Sequence, residues 1–459
     1  MPDAKSRVTS PVPLDLDAFL DELRDYAGDI GSDPLTNSVF SLALALMQDL
    51  DTGRRSLSDL TGLVDTIHFR LLRERADSFR SQHQAVGDGK PWSKVERKLK
   101  SAANAGLAAF KSAACTSHGG IVFTAHPTFA LSRSLREAFA AYASDNSEAN
   151  EKRLETAAND PSRDWPDQIT LLSEHEEAQL AIANARDAAR AYGERIVTTA
   201  RGAFSDEWRS LRPVLPTIAS WVGYDLDGRT DIHWSQSIAL RLREKEAQLG
   251  YYAARLKAIG APVLAETATG LERAQTHTGT AAALFEKDLF DPDTLVEAAN
   301  FLTSESDDKL IRASDITDVL TKLIEDDATA DDLAAELMVL RAEIDALQLG
   351  TARIHLRVNA AQVRTVLSRD LELETEDREL GRVALSRLSE MAGGDNVRPV
   401  NFADLFIEQS TARRQFMMCA QILKHIDAGS PIRFLIAESE NPATVMGALH
   451  LARQYGVDH

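Results

Sequence analysis

The sequence predicts a mostly α-helical chain with an α/β core, arranged as half of an eight-stranded α/β barrel with large helical insertions. Four short apolar runs have the composition of buried strands. Each run is followed by a helical pattern, and parallel strands need such crossover connections. Long helical segments separate the runs. Four strands are half of the usual barrel. A small open sheet of four strands is the competing arrangement.

The composition excludes several classes of protein. The chain has 459 residues, of which 44% are hydrophobic and 26% charged, so it can bury a large core. Its net charge of −19 argues against a nucleic-acid partner, because phosphate binding needs a concentrated basic face. Two cysteines, Cys115 and Cys419, are too few for a disulfide framework. We find no apolar run of about 18 residues and no signal sequence, so we expect a cytoplasmic protein without a membrane partner.

We predict three regions along the chain. Residues 1–16 are polar and carry prolines, and we expect them to be disordered. Residues 17–118 form an amino-terminal helical region, and residues 119–459 form the half barrel with its long helical insertions. The four strands of the half barrel are predicted near residues 121–126, 218–223, 353–357 and 432–437.

The first strand leads into a histidine. The run Ile121–Ala125 reads as a buried strand, and His126 follows it. Pro127 keeps the residue before it out of the α region, so His126 is expected to remain extended at the carboxyl end of the strand. Catalytic groups of α/β barrels and doubly wound sheets lie at this end. The alternative is a histidine that only forms hydrogen bonds at the start of a helix.

The second strand leads into a turn rich in aspartate and glycine. Ile218–Val222 is apolar, and Asp225, Asp227 and Arg229 follow it. The spacing does not fit a calcium-binding EF-hand loop, because Trp234 stands where the loop's last glutamate ligand belongs. An ordinary Asp-Gly turn remains an open alternative.

The third and fourth strands complete the pattern. The stretch Thr351–Asn359 is typical of a third strand and ends in a polar tip. The stretch Pro431–Glu438 is typical of a fourth strand, and a helix that begins near Pro442 follows it. A glycine-rich stretch at residues 87–91 has the wrong spacing for a Walker A phosphate loop, so we assign it no function.

At these strand ends the sequence resembles phosphoenolpyruvate carboxylase. Val122–Thr128 is similar to the family's T-A-H-P-T-E motif at the end of a TIM-type barrel strand. Ser220–Arg229 is similar to its S-W-[IV]-G-G-D-R-D-G-N-P motif. Ile354–Val358 stands where the family has L-D-I-R-Q, and Phe434–Leu451 matches the fourth strand and the helix after it. The first two motifs, taken together, are specific for this family. The resemblance covers the amino-terminal half of a typical member.

The resemblance implies the carboxylation of phosphoenolpyruvate by bicarbonate to oxaloacetate and phosphate. It implies that His126 works beside carboxyphosphate and that Arg357 faces the phosphate and the enolate. Arg133, Asp225, Asp227 and Arg229 would bind substrate. The alternative for Arg357 is an ion pair with an acidic neighbour at the sheet end, and the alternative for Arg133 is an exposed arginine on a helix.

The resemblance also implies a cofactor and partners. The cofactor would be Mg²⁺ without biotin, with the metal ligands and the catalytic lysine in the carboxyl-terminal half that this chain lacks; we assign no metal ligand here. The implied partner for full activity is that carboxyl-terminal half, either covalently joined to this chain or present as a separate chain. Members of the family form homo-oligomers.

The sequence departs from the family pattern at several positions close to the predicted site. Phe129 replaces a glutamate, Tyr224 a glycine, Leu226 an arginine, Arg229 an asparagine, His355 an aspartate and Val358 a glutamine. Two other functions remain open. One, which these departures favour, is a decayed, carboxylase-like helical subunit or binding protein. The other is a complete small α/β enzyme of another class, such as a lyase that acts on a phosphorylated keto acid.

Overall fold

A computed structural model describes most of the chain. It describes residues 11–28, 37–84, 92–124, 131–160, 169–205, 207–227, 229, 232–371, 381–394 and 397–457. His126 therefore lies outside the described residues, as do Pro127, Thr128 and Phe129 of the same sequence word. None of the described helices combines the length and the hydrophobicity that crossing a bilayer requires.

The described residues are mostly helical. The elements in chain order are α1 Leu16–Gly28, α2 Ser38–Asp51, α3 Leu57–Gln84, α4 Ser93–Asn104, α5 Leu107–Ala114, β1 Gly120–Phe123, α6 Arg133–Ser144, α7 Glu148–Ala158, α8 Leu171–Ala203, β2 Thr217–Ser220, α9 Trp234–Ile259, α10 Ala265–Phe285, α11 Pro292–Thr303, α12 Ser314–Glu325, α13 Asp331–Leu347, β3 Arg353–Asn359, α14 Ala360–Asp370, α15 Arg382–Ala392, α16 Phe402–Ile407, α17 Thr411–His425, β4 Ile432–Ala437 and α18 Pro442–Gln454. Short 3₁₀ helices lie at Trp208–Ser210 and Pro262–Leu264.

The four strands form one parallel sheet in the order β1-β2-β3-β4. The structure therefore confirms a mostly helical chain with a small parallel sheet at its α/β core. Neighbours in the sheet are also neighbours in sequence order, and helices connect each strand to the next. All four carboxyl ends consequently lie at the same edge of the sheet, which we call the carboxyl edge.

One face of the sheet packs on the largest apolar cluster. Ile354, Leu356 and Val358 of β3 are buried there, with Phe434 of β4 partly buried beside them. Because side chains alternate along a strand, the residues between them, including His355 and Arg357, lie on the opposite face. The cluster also includes apolar residues of α9, α14, α17 and α18, so these helices cover the apolar face.

Strand β1 is less buried than the sequence predicted. Ile121 and Val122 were expected to be buried on both faces, but about half of each side chain is exposed, 52% and 45% respectively. The reason is that β1 lies at the end of the strand order and pairs only with β2 among the described strands. A continuous apolar run does not distinguish a central strand from an edge strand.

The chain divides into two compact units. One comprises Met1–Lys94 and Pro127–Gln168, and the other Val95–His126 and Ile169–His459, including the whole sheet. This division does not fall at the boundary predicted between residues 118 and 119. In the first unit, Leu135, Ala138 and Tyr142 of α6 share an apolar cluster with Leu72 and Ala76 of α3, which ties α6 to the early helices.

The expected disorder of residues 1–16 falls mostly outside the described residues. At Val12 the chain is ordered against α2 instead. The Val12 side chain is buried, and its backbone N–H donates a hydrogen bond of 2.7 Å to Oδ2 of Asp49.

Candidate active site

The loop after β2 places two aspartates at the carboxyl edge. Ser220 lies opposite Ile354, and Asp225 lies opposite Arg357. Between these two pairs the chain advances by five residues after β2 but by only three along β3. The extra residues form a turn in which Gly223 has a φ of +86°. A Cβ atom there would lie 2.7 Å from a methyl carbon of Leu240, so the turn needs glycine for both its conformation and its space. The turn brings Asp225 and Asp227 back to β3.

Arg357 is held by both aspartates. Its Nη1 lies 3.3 Å from Oδ2 of Asp225, and its Nη2 lies 2.7 Å from Oδ2 of Asp227. The guanidinium carbon lies 5.3 Å from the ring centroid of Trp221, within the range of a cation–π contact. Backbone hydrogen bonds from Arg357 N–H to Tyr224 and from Leu226 N–H to Arg357 fix the same segment. These contacts hold the half-buried guanidinium in one orientation at the sheet edge.

Asn359 connects this pair to β4. Its side-chain N–H donates to Oδ1 of Asp227 at 3.3 Å and to Oε2 of Glu438 at 2.9 Å. Its side-chain oxygen accepts from the backbone N–H of Ala361 and caps α14. Glu438 follows β4 directly and has a φ of +57°, which is rare for a residue with a side chain. Residues from β2, β3 and β4 thus form one polar network at the carboxyl edge.

The carboxyl-edge network carries more negative than positive charge. It contains three carboxylates, Asp225, Asp227 and Glu438, and one guanidinium, that of Arg357. An anionic substrate at Arg357 would therefore have to compete with two aspartates. Additional positive charge from outside these residues is needed before such a substrate binds well.

The other predicted site residues are not all brought to this network. His126 would follow β1, two strands from Arg357, but lies outside the described residues. Arg229 pairs with Glu174 of α8 at 3.1 Å. Arg133 belongs to the other compact unit, where its exposed side chain pairs with Glu137 at 3.0 Å. The structure therefore brings together Arg357, Asp225 and Asp227 from the predicted set.

A buried ionic network supports the loops that lead into β3 and β4. Arg241 of α9 is fully buried and donates to Oε2 of Glu244 at 2.9 Å and to Oδ2 of Asp427 at 2.8 Å. It also donates to the backbone oxygen of Ala352, just before β3, and to Oγ of Ser430, just before β4. One guanidinium thus fixes the entry of both strands.

This buried network extends to the loop after β2. The Tyr224 hydroxyl donates to Oε2 of Glu244 at 3.4 Å, and His175 of α8 lies 3.2 Å from Oε1. Burial alone would raise the pKa of Glu244, but the hydrogen bond from His175 and the charge of Arg241 lower it below its ordinary value. Tyr224 and Leu226, which depart from the family pattern, are both buried. Leu226 therefore contributes to packing, and Tyr224 contributes both packing and its hydrogen bond to Glu244.

Sequence patterns did not identify several of these residues. Asn359 and Glu438 stood at predicted strand tips, and that position was the available signal. The sequence gives no comparable signal for Arg241, Glu244 and Asp427, because they lie in helical or loop segments where charged residues are usually exposed.

The described residues do not fit a Mg²⁺ site. Among them, no group of three or more histidine, cysteine, aspartate or glutamate side chains converges in a way that could hold a metal ion. Asp225 and Asp227 are engaged by Arg357 instead. We derive no chemical step through a metal.

Comparison with known proteins gives no family assignment. Neither a protein-family model nor a curated protein matches the chain.

Proposed function

We propose that the chain is the amino-terminal part of a phosphoenolpyruvate carboxylase-like enzyme, with the sheet as the first half of a TIM-type barrel. A complementary carboxyl-terminal half would close the barrel. The substrates would be phosphoenolpyruvate and bicarbonate, and the products oxaloacetate and phosphate. The proposal depends on the position of Arg357 at the carboxyl edge. Two aspartates of the motif-like stretch Ser220–Arg229, Asp225 and Asp227, fix it there.

Three features support this proposal. Parallel strands in sequential order are the arrangement of successive units in a barrel. The strand that precedes His126 and the strand that carries Arg357 end at the same edge, on either side of β2. The guanidinium is oriented before substrate arrives, and a planar fork of that kind can bind an oxyanion through two hydrogen bonds.

In this scheme Arg357 stabilises the negative charge of the phosphate and of the enolate. His126 holds carboxyphosphate and handles a proton, since an imidazole titrates near neutral pH. The acidic surroundings of Arg357 require the complementary half to supply further positive charge and the metal ligands. The chain alone should therefore be inactive.

Complementation tests the proposal. We expect the chain mixed with a separately expressed carboxyl-terminal half of a phosphoenolpyruvate carboxylase to form oxaloacetate, measured by coupling to malate dehydrogenase. His126→Asn in this chain should remove the activity without preventing association, which size-exclusion chromatography monitors. Stable association without any oxaloacetate would contradict the proposal, and so would full activity of the chain by itself.

The second candidate is a decayed carboxylase-like helical subunit or binding protein. The observation that favours it is that both terminal nitrogens of Arg357 already have aspartate partners. In that case the ion pairs only stabilise the sheet edge. Association with a complementary half and complete absence of carboxylation would support this candidate over the first.

A further inference from the structure

The polar face of the sheet carries a second group of cationic residues. Arg353, His355 and Arg357 occupy alternate positions of β3 and therefore share the face opposite the apolar core. His355 lies directly beside Arg433 of the neighbouring strand β4 in the parallel register. Arg353, His355 and Arg433 thus form a cluster nearer the amino-terminal ends of the strands, separate from the carboxyl-edge network. We call it the mid-sheet cluster.

The two arginines of the mid-sheet cluster differ from Arg357 in their partners. Arg357 has two carboxylates, whereas neither Arg353 nor Arg433 forms an ion pair with a described residue. Arg353 is half-buried, and its Nε donates to the backbone oxygen of Ala346 at 2.9 Å. Arg433 is exposed. Burial and the positive charge of Arg433 lower the pKa of Arg353, as expected when two like charges lie near each other.

His355 is a buried imidazole between these charges. Only 7% of its surface is exposed, and its Nε2 has no hydrogen-bond partner among the described residues. Burial, Arg433 and Arg353 all lower its pKa, so the ring is neutral near pH 7. A buried polar group without a hydrogen-bond partner is energetically unfavourable. A neutral imidazole keeps one N–H that can donate to an acceptor.

We propose that Arg353, His355 and Arg433 form a binding site for a small oxyanion of the phosphate type. Two guanidinium groups without counter-ions supply charge-assisted donors, and the imidazole supplies one more. Such an anion would neutralise the repulsion between the arginines and accept the hydrogen bond that His355 lacks. The exposed Arg433 lies on the solvent side of the site, and the imidazole lies at its buried end. This proposal does not rest on the proposed carboxylase, because it uses none of the residues assigned to that reaction and is tested on this chain alone.

Histidine NMR with inorganic phosphate as the probe tests this site. In the full chain labelled with ¹⁵N-histidine, the His355 ring signals are assigned by their loss in His355→Gln. We expect phosphate to shift these signals saturably, while sodium chloride at equal ionic strength does not. Arg433→Gln should weaken phosphate binding about tenfold or more, because it removes one charged donor.

Arg364→Gln is the matched control. Arg364 lies on α14, is exposed and has no ion-pair partner among the described residues, so its loss changes the net charge equally. We expect this variant to bind phosphate like the original chain. If both variants bound phosphate equally more weakly, the effect would come from the net charge of the protein and not from this site, which would overturn the proposal. Absence of a saturable shift of the His355 signals would also overturn it. Circular dichroism confirms that each variant is folded.

Discussion

Arg357→Lys is expected to lower kcat/KM for phosphoenolpyruvate about 10²–10³-fold in the complemented enzyme, which is the usual loss when one charge-stabilising donor is removed. Lysine keeps the positive charge but lacks the planar fork with which Arg357 contacts Asp225 and Asp227 and through which it would bind an oxyanion in the proposed reaction. We expect the loss in kcat to exceed the change in KM, because in the proposed reaction the guanidinium would stabilise the enolate charge that develops in the transition state. Steady-state kinetics with the coupled oxaloacetate assay measure both constants.

Arg364→Lys is the control for this substitution. It makes the same chemical change on the exposed face of α14 and should leave the kinetics unchanged. If Arg357→Lys reduced the thermal stability of the complex but not kcat/KM, Arg357 would be a structural partner of the aspartates and not a catalytic group.

Arg241→Met is expected to lower the free energy of unfolding by about 3–5 kcal/mol, the usual cost of breaking a buried ionic network by removing one member. The substitution leaves the buried carboxylates of Glu244 and Asp427 without their shared cation. It also removes the hydrogen bonds to Ala352 and Ser430 that fix the entries of β3 and β4. Urea unfolding followed by circular dichroism measures the effect.

Arg243→Met is the matched control on the same helix. The Arg243 side chain is 38% exposed and pairs with Glu286, so its removal should cost at most about 1 kcal/mol.

The stabilisation by Arg241 should also depend on pH. Since the folded pKa of Glu244 lies below its ordinary value of 4.5, the stabilisation is present above that value and is lost as the pH falls through the folded pKa. A loss below 1 kcal/mol at pH 7 would contradict the assignment of Arg241.

Local patterns were sufficient to locate the strands. β4 was predicted at 432–437 and is Ile432–Ala437, and β3 begins at Arg353 as expected. A strand with one buried face has an apolar residue at every second position, as β3 has at Ile354, Leu356 and Val358, and a sequence shows this pattern directly. β2 ends three residues earlier than predicted, because the chain turns directly after Ser220: the Tyr224 N–H donates to the backbone oxygen of Trp221, and Gly223 within this turn has a positive φ. Residues 146–165 are polar and typical of a linker, but they include helix α7, which is mostly exposed and buries only Leu154 and two alanines.

Contacts across long sequence separations were not predictable from the same patterns. Arg241 and Asp427 lie 186 residues apart, and nothing in either neighbourhood indicates the other. The register of β3 and β4, which places His355 beside Arg433, also depends on the folded sheet. The ion pairs of Arg357 were foreseen as an alternative to substrate binding, because an arginine at a sheet end commonly meets an acidic neighbour.

The position of His126 relative to Arg357 is the most direct test of the proposed function. A crystal structure of the complemented complex with phosphoenolpyruvate bound would measure it. We expect the His126 imidazole and the Arg357 guanidinium to lie on opposite sides of one ligand at the carboxyl edge, with the ligand's phosphate or carboxylate within about 3 Å of the guanidinium. A ligand bound elsewhere, or a His126 side chain directed away from Arg357, would contradict the account.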